Sequence, residues 1–297
     1  MKYIVLFIAI ITLMSCRKRL DDFLFNNSEL TSYELDNYQG ESSLELPIGY
    51  SLPQGDIHQF DFTIQSEGEE LMIQAVYVGD LSTIDQDTVI LYCHGNRDHM
   101  DYYWSRQKLY SHLGYQGRFG VLMFDYPGYG LSEGNPTEQN MYDATEGALS
   151  WLKDQGVDSE QLVMFGFSLG SAPTCEVAGS NEFSLQPNKI ILEAPFASSE
   201  VMVQDASLLN MPASFFVDVK IDNAEEIKKC QVPLLWMHGK ADDFLSIKTH
   251  GEIVFENHAG PWKQALRVEG AGHETVPVFY GISEYNDEIL QFILTPN

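Results

Sequence analysis

The chain has 297 residues, 44% of them hydrophobic and 12% aromatic, enough to bury one large core or two modest ones. Its 43 acidic and 17 basic side chains give a net charge of -26, a field that repels nucleic-acid phosphate at long range and disfavours a highly anionic substrate. Nucleic acid is thereby excluded as an expected partner, and a soluble surface is the ordinary meaning of such acidity.

In chain order, the first segment is "MKYIVLFIAIITLMSC", one lysine followed by an apolar stretch from Tyr3 to Met14. A membrane-crossing helix needs about 17 to 25 apolar residues, so this stretch reads instead as a secretory signal over residues 1–15. Its end, Leu13-Met14-Ser15-Cys16, resembles the lipobox of bacterial lipoproteins, whose cysteine is lipid-modified and becomes the first mature residue. The resemblance implies an exported lipoprotein of the cell envelope, in the periplasm or at the cell surface. A lipid anchor at Cys16 would hold it to the membrane, with Arg17, Lys18 and Arg19 against anionic headgroups. The competing reading is an ordinary cleaved signal that contains a cysteine. Residues 16–50 are polar and interrupted and read as a tether or N-terminal extension. A flexible chain of about 30 residues reaches about 30 Å, although "LDDFLFNN" and "LELPIGY" carry apolar residues able to dock on the body.

From residue 51 the chain alternates. "HQFDFTIQ" and "ELMIQAVYVG", separated by Ser66, Glu67 and Gly68, predict a hairpin. Charge-poor runs follow at 88–93, 119–125, 161–166, 189–194, 232–239 and 265–270, as strands buried on both faces require. Helical spacing lies between them at 100–113, 137–155, 169–180, 246–257 and 274–294. Strand alternating with helix predicts an α/β fold, a mostly parallel eight-stranded sheet with helices on both faces and the antiparallel hairpin at one edge, in one domain from 51 to 297. Chemistry in such sheets gathers where the strands' carboxyl ends open into loops.

The stretch "MFGFSLGSAP" sets Ser168 between Gly166 and Gly170, with a buried strand before it and a helix after it. A serine on such a turn is expected to adopt strained backbone angles, with small neighbours letting strand, turn and helix approach. The helix N-terminus lies beneath its hydroxyl. A serine needs a base and a carboxylate to orient that base. His273, in the glycine loop "EGAGHETVP", is the base candidate, and Asp242 and Asp243 follow the seventh strand in "LLWMHGKADDFLS". Singly, a histidine in a glycine loop is commonly surface, and an Asp-Asp pair commonly caps the helix beginning near Ser246. Jointly, the order Ser, Asp, His at strand ends predicts a catalytic set. Backbone NH groups of Leu169 and of Asn96, just past the strand ending in Cys93, are expected to form the oxyanion hole. His94 reads as structural.

His94-Gly95-Asn96, "DYPGYGLSEGNPT", "GFSLGSA", "LEAPFAS", "HGKADDF" and "GAGH", in order from about residue 57 to the C-terminus, together resemble the α/β-hydrolase superfamily, and within it the abhydrolase-domain serine hydrolases with a small cap. In that family the acid lies four residues after the histidine of "HG", which selects Asp242 over Asp243. The family often has arginine where this chain has Pro127, and Val-Pro where it has Leu245-Ser246. The resemblance implies acyl transfer: Ser168 attacks a carbonyl, His273 carries the proton, Asp242 holds the imidazole, and water releases the acyl-enzyme, with no metal or organic cofactor required. The expected substrate is a small acyl compound, a carboxylic ester or thioester. A peptidase or amidase using the same residues, or a surface binding module of the same fold, are the alternatives. A cap over about 196–231 offers Val201, Met202, Leu208, Leu209, Met211, Phe215 and Phe216 to line an apolar acyl pocket or simply to pack it down. Three cysteines besides Cys16, at 93, 175 and 230, read as buried free thiols, with a bridge to Cys230 left open. The sequence leaves the oligomeric state open.

Overall fold

In a computed structural model describing residues 24–115, 119–207 and 219–297, the apolar runs form one sheet of eight strands. These are β1 (Ile57–Ser66), β2 (Glu69–Val78), β3 (Thr88–Cys93), β4 (Phe119–Phe124), β5 (Leu162–Phe167), β6 (Lys189–Glu193), β7 (Leu234–Gly239) and β8 (Lys263–Val268). Their spatial order is β8-β7-β6-β5-β3-β4-β2-β1. Pairing is antiparallel within the β1–β2 hairpin and between β2 and β4, and parallel from β4 through β8. The hairpin turns on Glu67 and Gly68 with φ of 49° and 88°, both positive as a two-residue turn matching strand twist demands.

Side chains alternate across the buried strands, so each strand feeds two cores. Leu91, Met164 and Trp236 face α2 (Glu138–Asp154), α3 (Ser171–Gly179) and α6 (Gly251–Asn257), while Tyr92, Phe165 and Leu235 face α1 (Trp104–Ser111) and α8 (Ile282–Leu294). Thr137 starts α2 by accepting a 3.1 Å hydrogen bond from Asn140 N at its side-chain oxygen. The single helix expected over 274–294 is two, α7 (Val276–Tyr280) and α8, divided at Gly281 where φ is 105°. β8 starts at Lys263, earlier than the apolar run suggests, because an edge strand tolerates the exposed lysine.

Residues 24–50 lie against the body. Leu24, Phe25 and Leu44 are buried, and Asn26–Asn27 pair in parallel with Arg97–Asp98. The NH groups of Glu34 and Leu35 donate to the Asp101 carboxylate at 2.7 and 2.9 Å. The reach of a flexible tether therefore does not describe this stretch, whose docking partners lie within residues 96–108 and 125–131. Cys16 and residues 1–15, read above as a secretory signal, lie outside the described residues. In the cap region, α4 (Ser199–Ser207) and α5 (Asn223–Glu226) are described, and Leu208, Leu209, Met211, Phe215 and Phe216 are not.

The chain passes from β3 to β4 on one side and then places β5 on the other side of β3. A crevice opens at the carboxyl ends of strands where the order reverses in this way. The loops after β3, β5, β7 and β8 all leave from that edge.

Candidate active site

Ser168 follows β5 directly and opens a 3-10 turn, Ser168–Gly170, that runs into α3. Its φ is 51°, a region costly for a residue with a side chain. The neighbouring glycines are required by space: a Cβ on Gly166 would sit 2.4 Å from Gly170 O, and one on Gly170 would sit 1.9 Å from Cys93 O. The turn is thus wedged against the end of β3.

Ser168 Oγ lies 2.9 Å from His273 Nε2, and His273 Nδ1 lies 2.8 Å from Asp242 Oδ2. The carboxylate can only accept, so Nδ1 carries the proton, and Nε2 is left to accept from the serine hydroxyl. Gly270, with φ of 74°, turns the loop after β8 back over the sheet edge. Gly272 NH donates to Thr275 Oγ1 at 2.8 Å, and the imidazole sits between the rings of Phe167 and Phe244 at 5.3 and 5.0 Å.

Asp242 serves both of the roles its sequence allows, one on each oxygen. Oδ1 accepts from the NH groups of Phe244 and Leu245 at 3.0 and 2.8 Å and shapes the turn after β7. Oδ2 accepts from His273 and also from His238 Nε2 at 3.1 Å. Burial alone would raise this carboxyl, but the hydrogen bonds from His238 and His273 and the imidazole beside it outweigh burial and hold it well below the usual carboxylate range. Asp243 is exposed and faces the cavity instead.

His238 was legible only as the strand-ending member of "HG". Its Nε2 also lies 2.9 Å from Leu245 O, so Nε2 must be the protonated nitrogen, shared between two acceptors. His238 thus fixes both Asp242 and the turn around it.

Asn96 lines the same cavity as Ser168 and His273, and Leu169 is the residue after the serine. The main chain at this point is held from two sides: Asn96 O accepts from Asn26 NH at 3.0 Å and from the Tyr129 hydroxyl at 3.1 Å. His94 is fully buried, with its ring against Tyr103 and Tyr126 and its Nε2 3.3 Å from Asp125 Oδ1.

The cavity beside Ser168 has a volume of about 630 Å³. Its walls are the loops after β3, β7 and β8 together with Asn26, Ser42 and Ser43 of the N-terminal segment, which sequence reasoning did not place there. Neither Val201 nor Met202 lines it, and Met202, on α4, packs into the core. Cys93, Cys175 and Cys230 are buried free thiols. Burial pushes Cys93 up to about 12 and Cys230 up to about 11, which leaves them inert as nucleophiles.

A family model described as "Chlamydia CHLPS protein (DUF818)" matches residues 58–184. The chain is similar to α/β-hydrolase domain-containing protein 17B of Homo sapiens, 29% identical over 205 residues, covering 69% of this chain and 65% of that one. It is also similar to protein 17C of Mus musculus, 29% identical over 206 residues, covering 69% and 59%. The matched part thus spans just under two thirds of these curated relatives. Among solved structures, the Pyrococcus furiosus esterase Pf2001 superposes with a TM-score of 0.64 at 14% identity, covering 91% of this chain and 97% of that one. An esterase from Exiguobacterium antarcticum does so at 0.58 and 17%, covering 80% and 100%. A bromoperoxidase from Bacillus anthracis does so at 0.57 and 14%, again covering 80% and 100%.

Proposed function

We propose that the chain, whose fold is that of the α/β hydrolases, is a serine hydrolase of that superfamily cleaving carboxylic esters or thioesters through an acyl-enzyme on Ser168. One observation carries this reading: the unbroken hydrogen-bond chain from Ser168 Oγ through both nitrogens of His273 to Asp242. His273 Nε2 takes the hydroxyl proton as Oγ attacks the acyl carbonyl, and the ionised Asp242 stabilises the imidazolium that forms. Backbone NH groups of Leu169 and of Asn96, at the helix start and just past β3, receive the oxyanion. The protonated His273 returns its proton to the leaving alcohol or thiol, and water then repeats the sequence to free the acid. The esterases among the neighbours of like fold support an ester as substrate.

Labelling with a fluorophosphonate probe tests the assignment, since such probes phosphonylate an activated serine. The intact protein is expected to take up label, and folded Ser168→Ala none. Absence of label from the intact, folded protein would leave the fold as a surface binding module.

A further inference from the structure

Arg106 of α1 is wholly buried and pairs with two buried carboxylates, Glu41 and Glu193, behind the cavity. Its Nε donates to both oxygens of Glu41 at 2.9 and 2.7 Å, and its Nη1 donates to Glu193 at the end of β6 at 2.9 Å. Its Nη2 donates to the backbone carbonyl of Glu274 at 3.0 Å, one residue past His273. The same guanidinium lies 4.0 Å over the ring of Phe167, the residue before Ser168. One side chain therefore touches the main chain beside the base and the ring beside the nucleophile, and its orientation is fixed by two carboxylates, Glu193 from β6 and Glu41 from the N-terminal segment.

That segment is built to deliver the carboxylate. A Cβ on Gly40 would lie 2.5 Å from Tyr102 O, so the backbone of the segment comes as close to the body as two main chains can. Glu41 NH donates to Tyr102 O at 3.2 Å. Ser42 and Ser43 follow directly and form part of the wall of the cavity that Phe244 and His273 also line. Resting on the hydrolase reading above, we infer that residues 24–50 are part of the active site. Glu41 acts through Arg106 as a positioning residue for the loop that carries His273, and Ser42 and Ser43 bound the substrate cavity.

Burial raises the Glu41 carboxyl to about 7 despite Arg106, with Glu274 and Glu193 adding to the rise. Glutamine at position 41 keeps the length of the side chain and one acceptor oxygen within reach of Arg106 Nε, which gives the test its control. The full chain carrying Glu41→Ala or Glu41→Gln is compared with wild type for hydrolysis of p-nitrophenyl butyrate and for amide exchange over residues 272–276. Glu41→Ala is expected to lower kcat about tenfold with KM changed less than about twofold, and to speed exchange in that loop about tenfold. Glu41→Gln is expected to restore both to within about threefold, which loss of a merely structural contact would not produce. Unchanged exchange and kcat in folded Glu41→Ala overturn the inference. A wild type that neither hydrolyses the ester nor takes up fluorophosphonate defeats the hydrolase reading, and the exchange comparison still decides this one. If Glu41→Ala does not fold, Ser43→Trp on the half-exposed wall replaces it: a tenfold slower labelling of Ser168 supports the inference, and an unchanged rate overturns it.

Discussion

Asp242→Asn is expected to lower kcat about 10⁴-fold, while Asp243→Asn leaves it within about fivefold. The asymmetry comes from what each carboxylate touches. Asp242 Oδ2 holds the Nδ1 proton of His273, so an amide there allows the imidazole to settle in the tautomer whose Nε2 cannot accept from Ser168. Asp243 makes no such contact and lies exposed beside Phe244. Steady-state kinetics on the two variants with one p-nitrophenyl ester reads the ranking, and the opposite order would assign the role to Asp243. The depressed pKa of Asp242 adds a second readout. A carboxyl whose folded pKa lies below its unfolded value of about 3.9 contributes stability that is present above that pH and lost as pH falls through the folded value. Relative to Asp242→Asn, wild type should lose thermal stability only below about pH 4. A gap that already closes near pH 6 would mean that Asp242 is not held ionised by its two histidines. Across the range where the ester assay runs, the carboxylate stays charged, so Asp242 contributes no limb to the rate profile.

The parts of this molecule that were legible in the sequence are those whose cause is local. The runs "TVILYC" and "QLVMFG" announce buried strands because every residue in them must be apolar when both faces are covered, and the Glu67-Gly68 turn announces itself because two positive φ values are needed side by side. Ser168 was legible because an elbow requires small residues on both sides. Choosing between Asp242 and Asp243 was not a local matter: either could cap the following turn, and resemblance alone pointed to the first. The N-terminal segment was illegible for a related reason. Glu34, Leu35, Asp36 and Glu41 carry no local signal in the sequence, and what fixes them is Asp101, Trp104 and Arg106, more than 60 positions away, with which no period or spacing connects them. His238 falls between these cases. Its place at a strand end was visible, but its proton's route to Asp242 and Leu245 depends on a turn that only the folded chain makes.

Two glycines near the reacting groups look interchangeable in the sequence, one in "FSLGS" and one in "GAGHE", yet they should respond oppositely to alanine. Gly170 has an ordinary helical φ of -61°, so it needs no special backbone freedom. It is needed because the added Cβ would meet Cys93 O at 1.9 Å, Cys93 C at 2.4 Å and His94 O at 2.9 Å. All three are main-chain atoms at the end of β3, in the middle of the sheet, and cannot swing aside as a side chain would. The clash is relieved only by moving the serine turn or the His94-Gly95-Asn96 loop, which are the two walls that would have to meet an acyl carbonyl between them. Overpacking of this kind costs about 3 kcal/mol, or a fall in Tm of about 10 °C for a domain of this size, and a displacement of about 1 Å at the nucleophile costs about 100-fold in kcat. Gly272, immediately before His273, is different: its added Cβ would find Thr275 Oγ1 at 3.7 Å and Ala241 O at 4.0 Å, ordinary contact distances. Gly272→Ala should therefore keep Tm within about 2 °C of wild type. Thermal melts and ester hydrolysis on the two variants separate the cases, and a Gly170→Ala protein with wild-type Tm and kcat would show that the serine turn is not wedged against β3.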